Sequence, residues 1–178
     1  MVRAADGHGT VVGTESLRIR SATADDAPAL SRLLGQLGYP SDASDIPARL
    51  KNMEARLGTT VLVGEENGRV VSCVTVHLFH ALHASEPTAW LTAVVVDEDV
   101  RGRGIGSAMI KRAEVWAIQH GALRIALTSA LHRKEAHEFY KAREYEHTGV
   151  RLTKIFARSV TSAAARAAVD PSPGNQPN

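Results

Sequence analysis

The regular pattern of apolar and polar positions begins with a short strand at residues 17–20. Thr23 then reads as an N-cap, and Asp25 and Asp26 lie in the first turn, where negative charge suits the helix dipole. Ala27, Leu30, Leu34 and Leu37 recur at helical spacing until Gly38 ends the run. A second helix is predicted from near Ser44, with Pro47 in its first turn, the apolar stripe Ile46, Leu50, Met53 and Leu57, and Gly58 as its stop. Residues 60–65 and 69–80, two Val-rich runs joined by Glu66-Asn67-Gly68, predict a hairpin. Residues 89–96 form the next strand. Its end, Ala93-Val94-Val95-Val96, is apolar on both faces and so belongs inside a sheet covered on each side.

Past a glycine-rich turn, Ile105, Met109, Ala113, Trp116 and Ala117 form one stripe of a long helix that Gly121 closes. Residues 123–128 predict a strand, 134–140 a short helix and 147–156 closing strand material. Helices early and a strand-helix-strand unit late indicate an α/β (α+β) class, with a mixed sheet covered by helices on both sides. The strand order stays open. Residues 1–16 and 159–178 carry no such period and are expected to be flexible, although 161–169 can prolong a helix. The folded domain is expected over 17–158.

Composition narrows the class. A chain of 178 residues has room for one domain with a real core. With 44% hydrophobic and 22% charged residues it reads as globular and not as a disordered chain. No apolar run is long enough to span a bilayer and the first residues lack a secretory signal, so no membrane partner is expected and the cytoplasm is the default location. The net charge of +2 comes from basic residues scattered among acidic ones, which excludes a nucleic-acid footprint. Cys73 is the single cysteine, so no intrachain disulfide forms, and its strand setting reads as a small buried side chain.

The chemistry concentrates at Arg101-Gly102-Arg103-Gly104-Ile105-Gly106-Ser107, between the buried strand and the long helix. A helix N-terminus offers unpaired N–H groups and partial positive charge, glycines let the backbone approach a ligand, and the two arginines add full charge. Such a turn suits a diphosphate, although a tight strand-to-helix connection needs glycine too. A nucleotide P-loop fails because no lysine precedes Ser107. A dinucleotide fingerprint fails because the next strand ends Leu127-Thr128-Ser129, without the acidic residue.

The same segment closely resembles the pyrophosphate motif of the GNAT superfamily of N-acetyltransferases, which runs Arg or Gln, two residues, Gly, one residue, Gly or Ala. Arg101, Gly104 and Gly106 occupy its fixed places. Residues 127–140, a strand followed by a helix ending Phe139-Tyr140, resemble the family's second cofactor segment, and the likeness covers roughly residues 17–156. One departure is Glu144, which stands where the family has glycine. If that place requires positive φ, it costs on the order of 1 kcal/mol.

The resemblance implies a mostly antiparallel sheet splayed at its central strands and acetyl-CoA as co-substrate. The coenzyme would be held by Val94, Val95 and Val96, by Arg101, Gly102, Arg103, Gly104, Ile105, Gly106 and Ser107, and by Ser129, Arg133 and Ala136. Val94 and Val96 would bond the pantetheine arm through main-chain atoms, and an N–H of that strand would polarise the thioester carbonyl. Tyr140 would be the general acid for the departing thiolate, and the acceptor amine would attack directly in a ternary complex. The base is open: Trp90 and Thr92 are poor proton acceptors, leaving a water relay, His77 or His80. His77, His80 and His83, and likewise His132 and His137, do not share a face, so no metal is expected.

The acceptor, a small-molecule amine or a peptide end, would be shaped by residues 36–45 and 80–87, which hold Tyr39, His80, His83 and Glu86. Homodimers are common in the family. The alternative reading is a catalytically weak acyl-CoA-binding regulatory module.

Overall fold

Strand and helix periods in the sequence translate into nine regular elements within the described residues. The computed structural model describes residues 17–154 and 156, and runs β1 (Arg18–Ser21), α1 (Ala27–Leu37), α2 (Ile46–Glu54), β2 (Thr59–Glu66), β3 (Arg69–Phe79), β4 (Thr88–Val96), α3 (Ile105–Gln119), β5 (Arg124–Leu127) and α4 (Lys134–Lys141). The expected flexible segments 1–16 and 159–178, with the helix extension at 161–169, lie outside the described residues. No described helix is long and apolar enough to cross a membrane.

The strands make one five-stranded sheet in the order β1-β2-β3-β4-β5. The first three pairings are antiparallel, while β5 joins β4 in parallel, as the crossover through α3 permits. Between β2 and β3 the two-residue loop Asn67-Gly68 has φ of 51° and 74°, the mirror-image turn whose twist matches antiparallel strands. Between β3 and β4, Thr75 opposes Ala93 but Val76 opposes Leu91, leaving Thr92 as an extra residue in β4. Such a bulge moves the inward-facing set of side chains to the other face. Val63, Cys73 and Val95 pack on one face with Leu30, Leu33 and Ile46 of α1 and α2. The opposite face takes α3, so closely that a Cβ at Gly64 would stand 2.2 Å from Ser72 Oγ and 3.0 Å from Met109 Sδ.

Helix α1 ends as expected at Gly38, where the Tyr39 N–H donates to the Leu34 carbonyl at 2.9 Å. At its start Asp26 does more than face the dipole. Its buried carboxylate accepts the Thr23 N–H at 2.7 Å and both terminal nitrogens of Arg20 at 2.7 and 2.8 Å. The Arg20 guanidinium holds this carboxyl below the usual carboxylate range, against the effect of burial.

Three sequence expectations change. Helix α2 stops at Glu54, with Ala55 and Arg56 N–H groups bonded back to Lys51 and Met53, so Leu57 falls outside the stripe and is exposed. The chain turns there because the Gly58 carbonyl accepts the Leu78 N–H at 2.7 Å, drawing it into the sheet. In α3 Ile110 is buried, while Trp116 is only half-buried and stacks on His120 at 4.1 Å. Residues 147–154 and 156 take no strand form, and Val150, Leu152 and Phe156 are exposed. Apolar residues make a strand only where a neighbour completes the hydrogen-bond ladder.

The described residues divide into two compact units, one ending at Phe139 and the other beginning at Tyr140. In the second, the Tyr145 N–H donates to the Tyr140 carbonyl at 3.1 Å and the two rings lie 5.6 Å apart. Glu144 there has φ of 63°, the left-handed conformation in which a non-glycine residue costs about 1 kcal/mol.

Candidate functional site

β4 pairs with β5 only over residues 88–91, opposite residues 124–127, so residues 92–96 have no β5 partner. The Asp97 N–H donates to the Val71 carbonyl at 2.8 Å, which fixes the alternation along the strand end. Polar main-chain groups of Val95 thus point to β3, and those of Val94 and Val96 point to the open edge. The Val96 carbonyl accepts Arg101 Nε at 3.1 Å, leaving the Val96 N–H and both groups of Val94 along that edge. Val95 serves the core, where it is buried with Cys73.

Beyond the strand, the fully buried Asp97 anchors the turn, a residue the sequence reading did not single out. Its carboxylate accepts from Arg32, from Arg69 at 2.6 Å and from Gln36 at 3.2 Å, tying α1 and β3 to the end of β4. Burial would raise this carboxyl, but the hydrogen bonds from Gln36 and Arg32 outweigh it and keep it ionised below the usual range. An aspartate directly after an apolar strand, with arginines on neighbouring elements, is the signal that was available.

The turn's glycines serve two separate needs. Gly102 and Gly104 have φ of 78° and 83° with open space around them, so they are required by the backbone conformation. Gly106 lies inside α3, where a Cβ would stand 3.2 Å from the Phe139 ring and 3.6 Å from Val96 Cγ2. Gly104 caps α3 without a side chain, and the first helical bond is the Ala108 N–H to the Gly104 carbonyl at 3.1 Å. The N–H groups of Ile105 and Gly106 therefore lack intrahelical acceptors and face an anion's natural place. Ser107 follows in the same turn of the helix. Arg103 is paired at 3.1 Å with Glu66 of the hairpin, which pins the turn to β2.

Ser129 follows β5, and its Oγ is buried without a hydrogen-bond partner among the described residues, a group that a bound ligand would satisfy. Arg133 is exposed just before α4 and Ala136 is half-buried in its first turn. Tyr140 belongs to the second unit.

On the α1–α2 face lies a cavity of about 500 Å³, walled by side chains of α1, by Arg49, Asn52, Met53 and Arg56, and by Cys73, Thr75, His77 and Thr92 of the sheet. His77 sits between two hydroxyls, with Nδ1 3.2 Å from Thr59 Oγ1 and Nε2 3.0 Å from Thr92 Oγ1. Burial, and then the charge of Arg56, lower its pKa. Burial pushes the Cys73 thiol up to about 12. Residues of 36–45 and 80–87 do not line this cavity, and His80, His83 and Glu86 are exposed. A second cavity of about 710 Å³ flanks α2, walled by residues 21–24, by α2 and by the start of β2.

A model of the acetyltransferase (GNAT) family matches residues 28–145. The chain is 29% identical over 143 residues to aminoalkylphosphonate N-acetyltransferase of Salmonella typhimurium, covering 76% of this chain and 89% of that protein. It is 28% identical over 134 residues to aminoglycoside N(6')-acetyltransferase type 1 of Stenotrophomonas maltophilia, covering 73% and 86%. The solved structure of an aminoglycoside N-acetyltransferase in complex with CoA shares the fold at 16% identity, with a TM-score of 0.71 over 83% of this chain and 99% of that one.

Proposed function

The chain belongs to the acetyltransferase (GNAT) family and is an acetyl-CoA-dependent acyltransferase, and from that premise we propose that it moves the acetyl group to the primary amine of a small molecule by direct attack in a ternary complex. The observation that carries this reading is the continuity of the open β4 edge with the left-handed turn and the start of α3. One stretch of main chain thereby offers donors and acceptors to an amide-rich arm and N–H groups to a diphosphate.

Acetyl-CoA supplies the activated thioester carbonyl. The Val94 main-chain groups and the Val96 N–H meet the arm, and the N–H groups of Ile105 and Gly106, with Arg101, meet the diphosphate. Ser129, Arg133 and Ala136 flank it from the β5–α4 side. Tyr140 donates from its phenol the proton that the departing thiolate takes up. Direct transfer is supported by Cys73: the single thiol is buried and held protonated, unfit to carry the acetyl group. A small-molecule acceptor is supported by the two relatives, named for aminoalkylphosphonates and for aminoglycosides.

The test is calorimetric titration with coenzyme A alongside free-thiol release from acetyl-CoA with a panel of amines. Tyr140→Phe is expected to bind coenzyme A normally and to lose about a hundredfold in kcat. A chain that shows no affinity for coenzyme A overturns the reading. Normal binding with no turnover of any amine marks the chain as an acyl-CoA-binding module.

A further inference from the structure

We infer that the cavity of about 500 Å³ between α1, α2 and the sheet is the acceptor site and takes a small primary amine bearing an anionic group, with Arg56 facing the anion and the Thr92 hydroxyl and His77 receiving the amine's proton. This rests on the acetyltransferase reading above and names the acceptor class for it.

Position comes first. An arm laid along the open edge from the turn after Val96 runs back to the point where β5 pairing resumes, at Leu91. Thr92, the bulge residue, adjoins that point and is also a wall of the cavity. The thioester end and the cavity thus converge on the Thr92 hydroxyl.

Charge selects the ligand. Among the described residues the walls carry Arg49, Arg56 and Asn52 and no carboxylate. Arg49 is already held by Asp45 at 2.9 Å and Ser41 Oγ at 3.0 Å, whereas Arg56 meets no carboxylate among the described residues. A polycationic amine would enter against both guanidinium groups. An amine with a phosphonate, phosphate or carboxylate at its other end would give Arg56 the bidentate partner that its planar fork suits.

The proton path is built from hydroxyls. Thr59 and Thr92 can each donate or accept, so a neutral imidazole between them has both ring nitrogens satisfied and can take a proton through Thr92. Arg49 and Arg56, from α2 and the turn after it, are the charged groups in the walls around His77. Its own strand adds the protonated Cys73, β2 and β4 present Thr59 and Thr92, and α1 presents Leu30 and Leu34. Burial and Arg56 favour the neutral ring. An anion on Arg56 would offset the second of those causes.

The protons balance. An ammonium acceptor gives its first proton through Thr92 to His77, from which water takes it. The freed lone pair forms the N–C bond at the carbonyl carbon, the C–S bond breaks as the thiolate takes its proton from Tyr140, the second nitrogen proton passes through water to restore Tyr140, and the third stays on the amide.

The experiment is thiol-release kinetics on the full chain with length-matched aminoalkylphosphonates, amino acids, amino alcohols and diamines. Wild type, Arg56→Ala, Arg56→Lys and His77→Gln are compared, each also titrated with coenzyme A. The anionic amines should be preferred by roughly tenfold or more in kcat/KM, as for a hydrogen bond to a charged group. Arg56→Ala should erase that preference through the acceptor KM, Arg56→Lys should restore part of it, and coenzyme affinity should hold in both. His77→Gln should lower kcat about a hundredfold and flatten the acidic limb of its pH profile. Equal or better turnover of diamines, preference retained in Arg56→Ala, or an intact acidic limb in His77→Gln overturns the inference. Acetylation of neutral or cationic amines alone leaves the acetyltransferase reading standing and removes only this one, whereas failure to bind coenzyme A removes both.

Discussion

The two faces that meet along β4 are built differently. On the proposed coenzyme side the contacts would come from main chain: the edge groups of Val94 and Val96, two left-handed glycines and the first N–H groups of α3, in a segment locked by the buried Asp97 and by the Arg103–Glu66 pair. On the proposed acceptor side they would come from side chains of the sheet and of α2 and the turn after it, α2 being a nine-residue helix whose one buried residue is Ile46 and which has a cavity on either flank. Main-chain recognition tolerates little displacement, since it depends on dihedral angles and register. Side chains on a lightly packed helix can change without disturbing the sheet, so one fold can keep its coenzyme while its acceptor varies.

The sharpest way to break this contrast is at the lock itself. Asp97→Asn should cost about 2–3 kcal/mol in urea denaturation, at or below the usual range for breaking a buried ion pair, because Arg32 and Arg69 are part-exposed and can turn to water. A cost under about 0.5 kcal/mol, the level of an ordinary surface change, would show that the turn is not held there. Next comes Gly104→Val, which forces a branched residue into φ of 83°. About 1–2 kcal/mol of strain is expected, together with loss of coenzyme A affinity in calorimetry.

On the other face, Leu50→Ala should be milder. Leu50 lines both cavities and is only partly buried, so a loss of about 1 kcal/mol is expected against the 2–5 of a full core truncation. The acceptor KM should move while that for acetyl-CoA stays. A shift in both would mean that α2 and the coenzyme edge are mechanically coupled.

The smallest effect is in pH. Asp26 and Asp97 are held low, so their contribution is complete above the unfolded carboxylate pKa near ~3.9 and is lost as pH falls through the lower folded values. His77 is also held low. The unfolded ring therefore takes its proton first, and stability declines gently as pH drops below ~6.5, by a few degrees of Tm at most. His77→Gln should remove this upper decline and leave the acid one, and a decline that persists in the variant would place its source elsewhere.

Much of this was legible beforehand, for reasons that differ by element. The Asn67-Gly68 turn, the stop at Gly38 and the strand-to-helix turn at 101–107 depend on local backbone preferences, which adjacent residues specify. Leu57 shows the limit: its spacing fits α2, yet the Gly58 carbonyl is claimed by Leu78, some twenty residues on, and the helix ends early. The apolar residues at 147–156 show it again, because alternation cannot supply a ladder partner. Asp97 looked like one acid in a polar run until Arg32 and Arg69 arrived from other elements.

By itself the sequence determined the order and kind of the elements as far as α4 and the conformation of the glycine turn, since these rest on interactions between residues close along the chain, and through its resemblance it pointed to the coenzyme. The tertiary structure decided where β4 parts from β5, which main-chain groups that parting frees, and that His77, Thr92 and Arg56 wall one cavity. Those depend on sheet register and helix packing, which bring together residues dozens of positions apart and are set by the whole core at once.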